Sequence, residues 1–194
     1  MTAAPVDPIG VALTVAEALE TLGIAHTIGG SIASSIAGEP RATIDIDFVA
    51  ALSEADVPRL VSALSADFYV DERALRRAVR DRGVANLIHQ PSQLKVDIHV
   101  CGGTPLDEQQ IARRQAVRVI GDRVLHVHPP EDILLQKLRW YDMSGGVSDR
   151  QWRDILGIIR VQGPRLDHDY LLRNAPVLGV SASLRRALRQ GEGR

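Results

Sequence analysis

A single cysteine in 194 residues leaves no disulfide framework and no cysteine-built zinc site. Aromatic residues are scarce: two Phe, two Trp and three Tyr are too few for a platform on which successive bases of a single strand stack. Charge of one sign is also missing. Lys plus Arg number 23 against 24 Asp plus Glu, a net charge of −1, which excludes attachment to nucleic acid or anionic lipid by bulk charge but leaves room for a local basic patch. No run of eighteen apolar residues occurs, so no membrane-spanning helix is expected. The N-terminal stretch lacks the basic start and continuous apolar segment of a signal peptide. These absences together lead to the expectation of a cytoplasmic protein without a membrane partner. What is present is ordinary for a globular chain: 45% apolar and 24% charged residues, enough for one domain or a core with a helical appendage.

Periodicity organises the chain. Ile9, Leu13, Ala16, Leu19 and Leu22 recur at helical spacing between Pro8 and Gly23. A short strand over 24–28 runs into Gly29-Gly30-Ser31, and a helix over 32–37 follows. Residues 44–50 alternate as a strand, a helix capped by Ser53 ends near Leu64, and an arginine-rich helix covers 71–82. Residues 84–89 and 94–100 read as a hairpin around Gln90-Pro91-Ser92, and 117–120 with 124–127 as a second around Gly121-Asp122. Beyond Pro129-Pro130 the texture becomes helical, over 131–141, 148–161, 167–174 and 181–189. Glu131 and Asp132 suit the first turn of the first of these helices, and Ser148 with Gln151 makes a capping-box pattern for the second. The division expected is a mixed strand-and-helix core over 1–128 and a helical extension over 129–194.

The most informative segment is Ile44-Asp45-Ile46-Asp47-Phe48. Alternation puts Asp45 and Asp47 on one face of a strand and the apolar residues on the other. Adjacent carboxylates repel each other unless a cation sits between them, and oxygen donors of this charge suit magnesium. The competing reading is an exposed edge strand with both acids in water. Lys95, Asp97 and His99 alternate with Leu94, Val96, Ile98 and Val100 in the same way. Asp97 on a neighbouring strand would complete a two-metal cluster or supply a base for an attacking hydroxyl, and its own competing reading is a solvated polar face. Gly29-Gly30-Ser31, at a strand-to-helix turn, combines close backbone approach with a helix N-terminus, a combination suited to phosphate; it is also an ordinary turn with a serine cap.

Taken together, these segments resemble the nucleotidyltransferase superfamily, and IGGSIASSIAGEPRATIDIDFVA is especially similar to bacterial proteins related to AbiEii toxins and MNT antitoxins. EDILLQKLRWY resembles a later motif of that group, a lysine on a helix after the catalytic sheet. The resemblance covers roughly residues 25–141, and SDRQWRDI looks like the group's C-terminal extension. Thirteen residues stand between Ser31 and Asp45, a longer spacing than in minimal MNT proteins, which points to the AbiEii-like side. The resemblance implies an α+β fold: a mixed-sheet, polymerase-beta-like core with a C-terminal helical extension.

It also implies transfer of a nucleoside monophosphate from a nucleoside triphosphate (NTP) to an acceptor hydroxyl or phosphate. Magnesium, or manganese in its place, would be held by Asp45 and Asp47, with Asp97 on the second metal or acting as base. Gly29, Gly30 and Ser31 would meet the phosphates. Lys137 would reach the triphosphate or else be an amphipathic lysine at a packed helix edge; Lys95 would contact phosphate or merely balance Asp97; Arg41 is a weaker phosphate candidate. Three functions follow from the family: a nucleotidyltransferase acting on tRNA or a protein as the toxin of a toxin–antitoxin or phage-defence pair; an antitoxin or binding protein that neutralises or modifies a cognate partner; and an antibiotic-modifying small-molecule enzyme. Arg73, Arg76, Arg77, Arg80 and Arg82 would attract phosphates if uncompensated, or form a solvated face offset by Asp71, Glu72 and Asp81. His99, His126 and His128 have no cysteine pair beside them and are not expected to bind zinc. Cys101 reads as a small buried hydrophobe, Trp140 and Trp152 as packing residues, and Leu134, Leu138, Ile155 and Ile159 as a seam between helices.

Overall fold

The computed structural model describes residues 7–40, 42–43 and 45–191. It divides into two compact units, Met1–Ile32 with Thr43–Val127, and Ala33–Ala42 with His128–Arg194. Among the described residues no helix is long and apolar enough to cross a membrane.

In the first unit, α1 (Pro8–Thr21) starts on Asp7, whose carboxylate accepts from the Ile9 N–H. Pro8 sits at the first helical position, where its missing N–H costs nothing. The chain leaves this helix through Gly23 at φ +72°, the left-handed conformation that glycine adopts without strain. β1 (His26–Ile28) follows, then α2 (Gly30–Ala37), β2 (Ile46–Ala50), α3 (Asp56–Leu64), β3 (Phe68–Val70), α4 (Glu72–Asp81), β4 (Val84–His89), β5 (Lys95–Val100), α5 (Pro105–Ala112), β6 (Gln115–Ile120) and β7 (Arg123–Val127). The seven strands form one mixed sheet in the order β3-β4-β5-β2-β1-β7-β6. β2 runs parallel to β5 and β1 parallel to β7, while the remaining pairs are antiparallel. Ile46, Phe48, Val96 and Ile98 are almost fully buried, so the apolar half of each alternation faces the core as the period-two pattern requires.

Several elements differ from the sequence expectation. Ser53 does not cap α3, which begins after Ala55 without a side-chain cap; the Ser53 hydroxyl instead donates to the Asp56 carboxylate. β2 begins at Ile46, so Asp45 stands just ahead of the strand and not within it; Ile44 lies outside the described residues. β3 is three residues long, below the length at which alternation is readable. α5 has almost no apolar stripe, but Thr104 accepts from the Asp107 N–H and Asp107 reaches back to the Thr104 N–H, a reciprocal cap that starts a helix without help from periodicity.

The second unit contains the end of α2, then α6 (Pro130–Met143), α7 (Asp149–Gln162), a 3-10 turn at Gly163–Arg165, α8 (His168–Asn174) and α9 (Ser181–Gly191). Leu134, Leu138, Ile155 and Ile159 are buried together with Tyr170, Leu171 and Leu184, forming the expected seam. Glu131 and Asp132 do more than complement a helix dipole, since both are buried. Glu131 accepts from the Asp167 N–H and Asp132 from the Tyr170 hydroxyl at 2.6 Å, which ties α8 to the first turn of α6. Trp152 packs on Tyr141 with Arg186 over its ring. Trp140 corrects the packing expectation: it is 48% exposed, because the buried stripe of α6 runs through Leu134, Leu138 and Tyr141 and leaves position 140 on the outer side.

Candidate active site

The site grows from the turn between β1 and α2. The Gly29 N–H donates to the Asp47 carbonyl at 2.9 Å, which fastens the turn to β2. Gly30 has φ +56°, and a Cβ built there would overlap the Asp47 carboxylate. Glycine is therefore required twice, by the backbone conformation and by the close approach. Gly30→Ala is expected to destabilise the protein by about 2 kcal/mol or more, from left-handed strain plus a clash with a side chain that must move; urea unfolding would measure it. Ser31 is half-buried in the first turn of α2, so this helix opens beside Asp47.

Asp47 and Asp97 are directly paired across the parallel β2–β5 ladder, so the two carboxylates rise from one face of adjacent strands, about 4.8 Å apart in the backbone. Both are largely shielded, with side chains 24% and 19% exposed. Asp45 is exposed at the entrance to β2, its N–H donating to Thr43 Oγ1. Among the described residues the three carboxylates do not gather within 4.8 Å of one another. Lys95 Nζ is 2.7 Å from Asp97 Oδ2, Asn86 Nδ2 donates to Asp97 Oδ1, and His99 Nε2 lies 3.7 Å from Asp47 Oδ1. The hydrogen bond to Asp97 raises the pKa of Lys95, with further attraction from Asp97, Asp45 and Asp47. That places one ammonium in the field of all three carboxylates.

This donor set fits a hard divalent cation. Asp47 and Asp97 share one face, Lys95 and neighbouring donors offset part of their mutual repulsion, and the missing Cβ at Gly30 lets the backbone of the turn lie close to Asp47. Asn86 escaped the sequence reading, although folding the hairpin around Pro91-Ser92 places it opposite Asp97. Of the other expected residues, Arg41 lies outside the described residues. Lys137 belongs to the second unit, where its ammonium is 2.8 Å from Asp154 Oδ2 and 3.1 Å from Gln151 Oε1.

The arginine helix is compensated by one expected acid, Glu72, and by one the sequence did not suggest, Glu54. Arg76 bridges Glu72 and Glu54, at 2.7 and 3.0 Å, and Arg80 also lies by Glu54. Glu54 precedes α3, so only tertiary structure brings it there. Cys101 is buried, and burial pushes its thiol pKa up to about 11. Since the thiolate is the reactive form, alkylation of Cys101 in the native protein at pH 8 should be about 100-fold slower than in denaturant, followed by mass spectrometry. His128, also in the second unit, is buried and held neutral by desolvation, with its pKa lowered to about 4.

No family model and no curated protein matches the chain. Solved structures do. A nucleotidyltransferase-like antigenic protein from Paracoccidioides brasiliensis superposes with a TM-score of 0.58 at 18% identity, covering 94% of this chain and 92% of its own. The antibiotic-resistance factor ANT(2'')-Ia gives 0.55 at 13% identity, covering 95% and 100%. The lincosamide antibiotic adenylyltransferase LnuA gives 0.51 at 12%, covering 79% and 96%. At these identities the likeness is one of fold: the chain has the mixed α+β architecture of the nucleotidyltransferases.

Proposed function

We propose that this protein is a magnesium-dependent nucleotidyltransferase, moving a nucleoside monophosphate from a triphosphate to an acceptor with release of pyrophosphate. The observation that carries this reading is the convergence of Gly30, Asp47 and Asp97, a helix-opening turn pressed against one of two register-paired carboxylates. Asp45 and Asp47 would hold magnesium, or manganese, which supplies charge neutralisation for the triphosphate and pyrophosphate. Gly29, Gly30 and Ser31 offer the phosphates backbone N–H groups, a hydroxyl and the positive end of α2. Asp97 takes the proton from the attacking hydroxyl, and Lys95 and Asn86 hold its carboxylate in place for that task. Such a transfer depends on positioning and electrostatics more than on covalent chemistry by the protein.

The motif resemblance over 25–141 supports tRNA or a protein as acceptor, in a toxin–antitoxin or phage-defence pair. A second reading, a small hydroxylated acceptor of the antibiotic class, is favoured by the pairing of Arg76 and Arg80 with Glu54 and Glu72, which removes positive potential that RNA would need. Incubation with each labelled NTP and magnesium, offering tRNA, lysate protein, aminoglycosides and lincosamides in turn, separates these classes. Magnesium plus the correct triphosphate should raise the Tm of the native protein, and should not raise that of the Asp45→Asn/Asp47→Asn double variant. Equal shifts in both proteins would sink the assignment. Asp97→Asn should lower turnover at least about 100-fold, the lower range for loss of a general base, with triphosphate affinity by calorimetry nearly unchanged. Wild-type turnover would remove Asp97 from the site.

A further inference from the structure

Away from the paired aspartates, three potential metal ligands of the first unit meet at the other end of β1. Glu20 lies in the last turn of α1, His26 is the first residue of β1, and His126 is on β7. One ligand atom from each lies within 4.8 Å of the other two. Against the sequence expectation for His126, which weighs only its missing cysteine partners, we infer that Glu20, His26 and His126 form a binding site for a borderline divalent transition cation of the zinc class, separate from the proposed magnesium site.

Three observations carry this. The first is orientation. His26 is 2% exposed, and its Nδ1 is 3.0 Å from the Ile24 carbonyl. A proton on Nδ1 donated to that carbonyl leaves the Nε2 lone pair free, which is how the outer contacts of a metal-binding histidine select its ligating nitrogen. The second is an unmet requirement. His26 Nε2 and His126 Nδ1 are both buried atoms without a hydrogen-bond partner, a costly state for two polar groups of one cluster. The third is spacing. Glu20 Oε1 is 3.3 Å from His126 Nδ1 without making a hydrogen bond to it, and bonds of 2.0–2.1 Å to a tetrahedral ion place two ligand atoms about 3.3 Å apart.

The electrostatics agree. Desolvation lowers the pKa of His26, so its imidazole is neutral and available to a cation at neutral pH. Glu20 supplies the negative charge. Arg114 is near enough to disfavour a positive His26, and its Nη1 is occupied by the Ile111 carbonyl. Two imidazoles and a carboxylate leave a fourth position for water, a set that suits zinc better than magnesium, which prefers oxygen donors. Because these ligands sit on α1, β1 and β7, the ion would pin the start of the strand whose far end carries Gly29 and Gly30.

Metal-stripped protein should bind one equivalent of Zn²⁺ by calorimetry in the presence of excess Mg²⁺, and Co²⁺ in its place should show the visible absorption of a tetrahedral ion. Glu20→Gln and His126→Gln change partly exposed side chains and should keep the fold by circular dichroism. Each should weaken that equivalent about 100-fold or more, since loss of an outer-shell partner alone costs 10–100-fold. Asp45→Asn/Asp47→Asn should leave it intact. The inference is overturned if no such equivalent binds, if either single variant binds as wild type, or if binding disappears in the aspartate double variant instead.

Discussion

If the proposed function holds, Asp47→Asn is expected to lower nucleotide transfer at least about 10³-fold, equivalent to about 4 kcal/mol of transition-state stabilisation, and to leave the chain folded. The expectation follows from position. Asp47 is the residue on which the site converges: its carbonyl anchors Gly29, its carboxylate fills the space beside Gly30, and its register partner is Asp97. An amide keeps the shape and removes the charge that would hold the cation. Because Asp47 and Asp97 repel each other, the variant should melt at the same temperature as wild type or slightly higher. Single-turnover assays at saturating triphosphate measure the first effect and a thermal scan the second. Wild-type rates in Asp47→Asn would remove the carboxylate from the chemistry altogether.

The second large effect belongs to the other unit. Lys137→Met should destabilise the protein by about 3–5 kcal/mol, because it breaks a buried ion pair by removing one of its two partners. The side chains of the pair are 5% and 8% exposed, so water does little to screen the loss. Lys137→Met/Asp154→Leu should recover most of that stability, since a buried pair replaced by apolar groups of similar volume is often neutral. Urea unfolding of the two variants and wild type tests both statements. Triphosphate affinity, measured where Lys137→Met is still folded, decides the residue's two sequence readings. An unchanged affinity assigns it to packing between α6 and α7, and a loss assigns it to the nucleotide.

What could be read from the sequence followed the physics of each signal. The Ile46-Asp47-Phe48 and Lys95–Val100 alternations were legible because a strand with one buried face has a period of two. Local alternation also predicts that Asp47 and Asp97 are polar outliers on buried strands, but not that β2 and β5 are neighbours; that pairing joins residues fifty positions apart. The same limit hid Glu54, whose ion pairs with Arg76 and Arg80 cross from one element to another. α5 was missed for the opposite reason: its signal is a cap at Thr104 and Asp107 rather than a stripe. Lys137 shows that a helical motif can identify a residue worth attention while leaving its partner, here Asp154, to tertiary structure.

The ends of the sheet bear on handling the protein at high concentration. The strands that close the order, β3 and β6, are poor templates for a second chain. β3 offers only three residues, and β6 is broken by a register shift between Arg118 and Ile120 that displaces its hydrogen-bonding row. Short, irregular or charged borders are how folded sheets discourage edge-to-edge growth into aggregates. Deleting Val119, the extra residue at that shift, would restore a regular edge and should lower the concentration at which the protein aggregates.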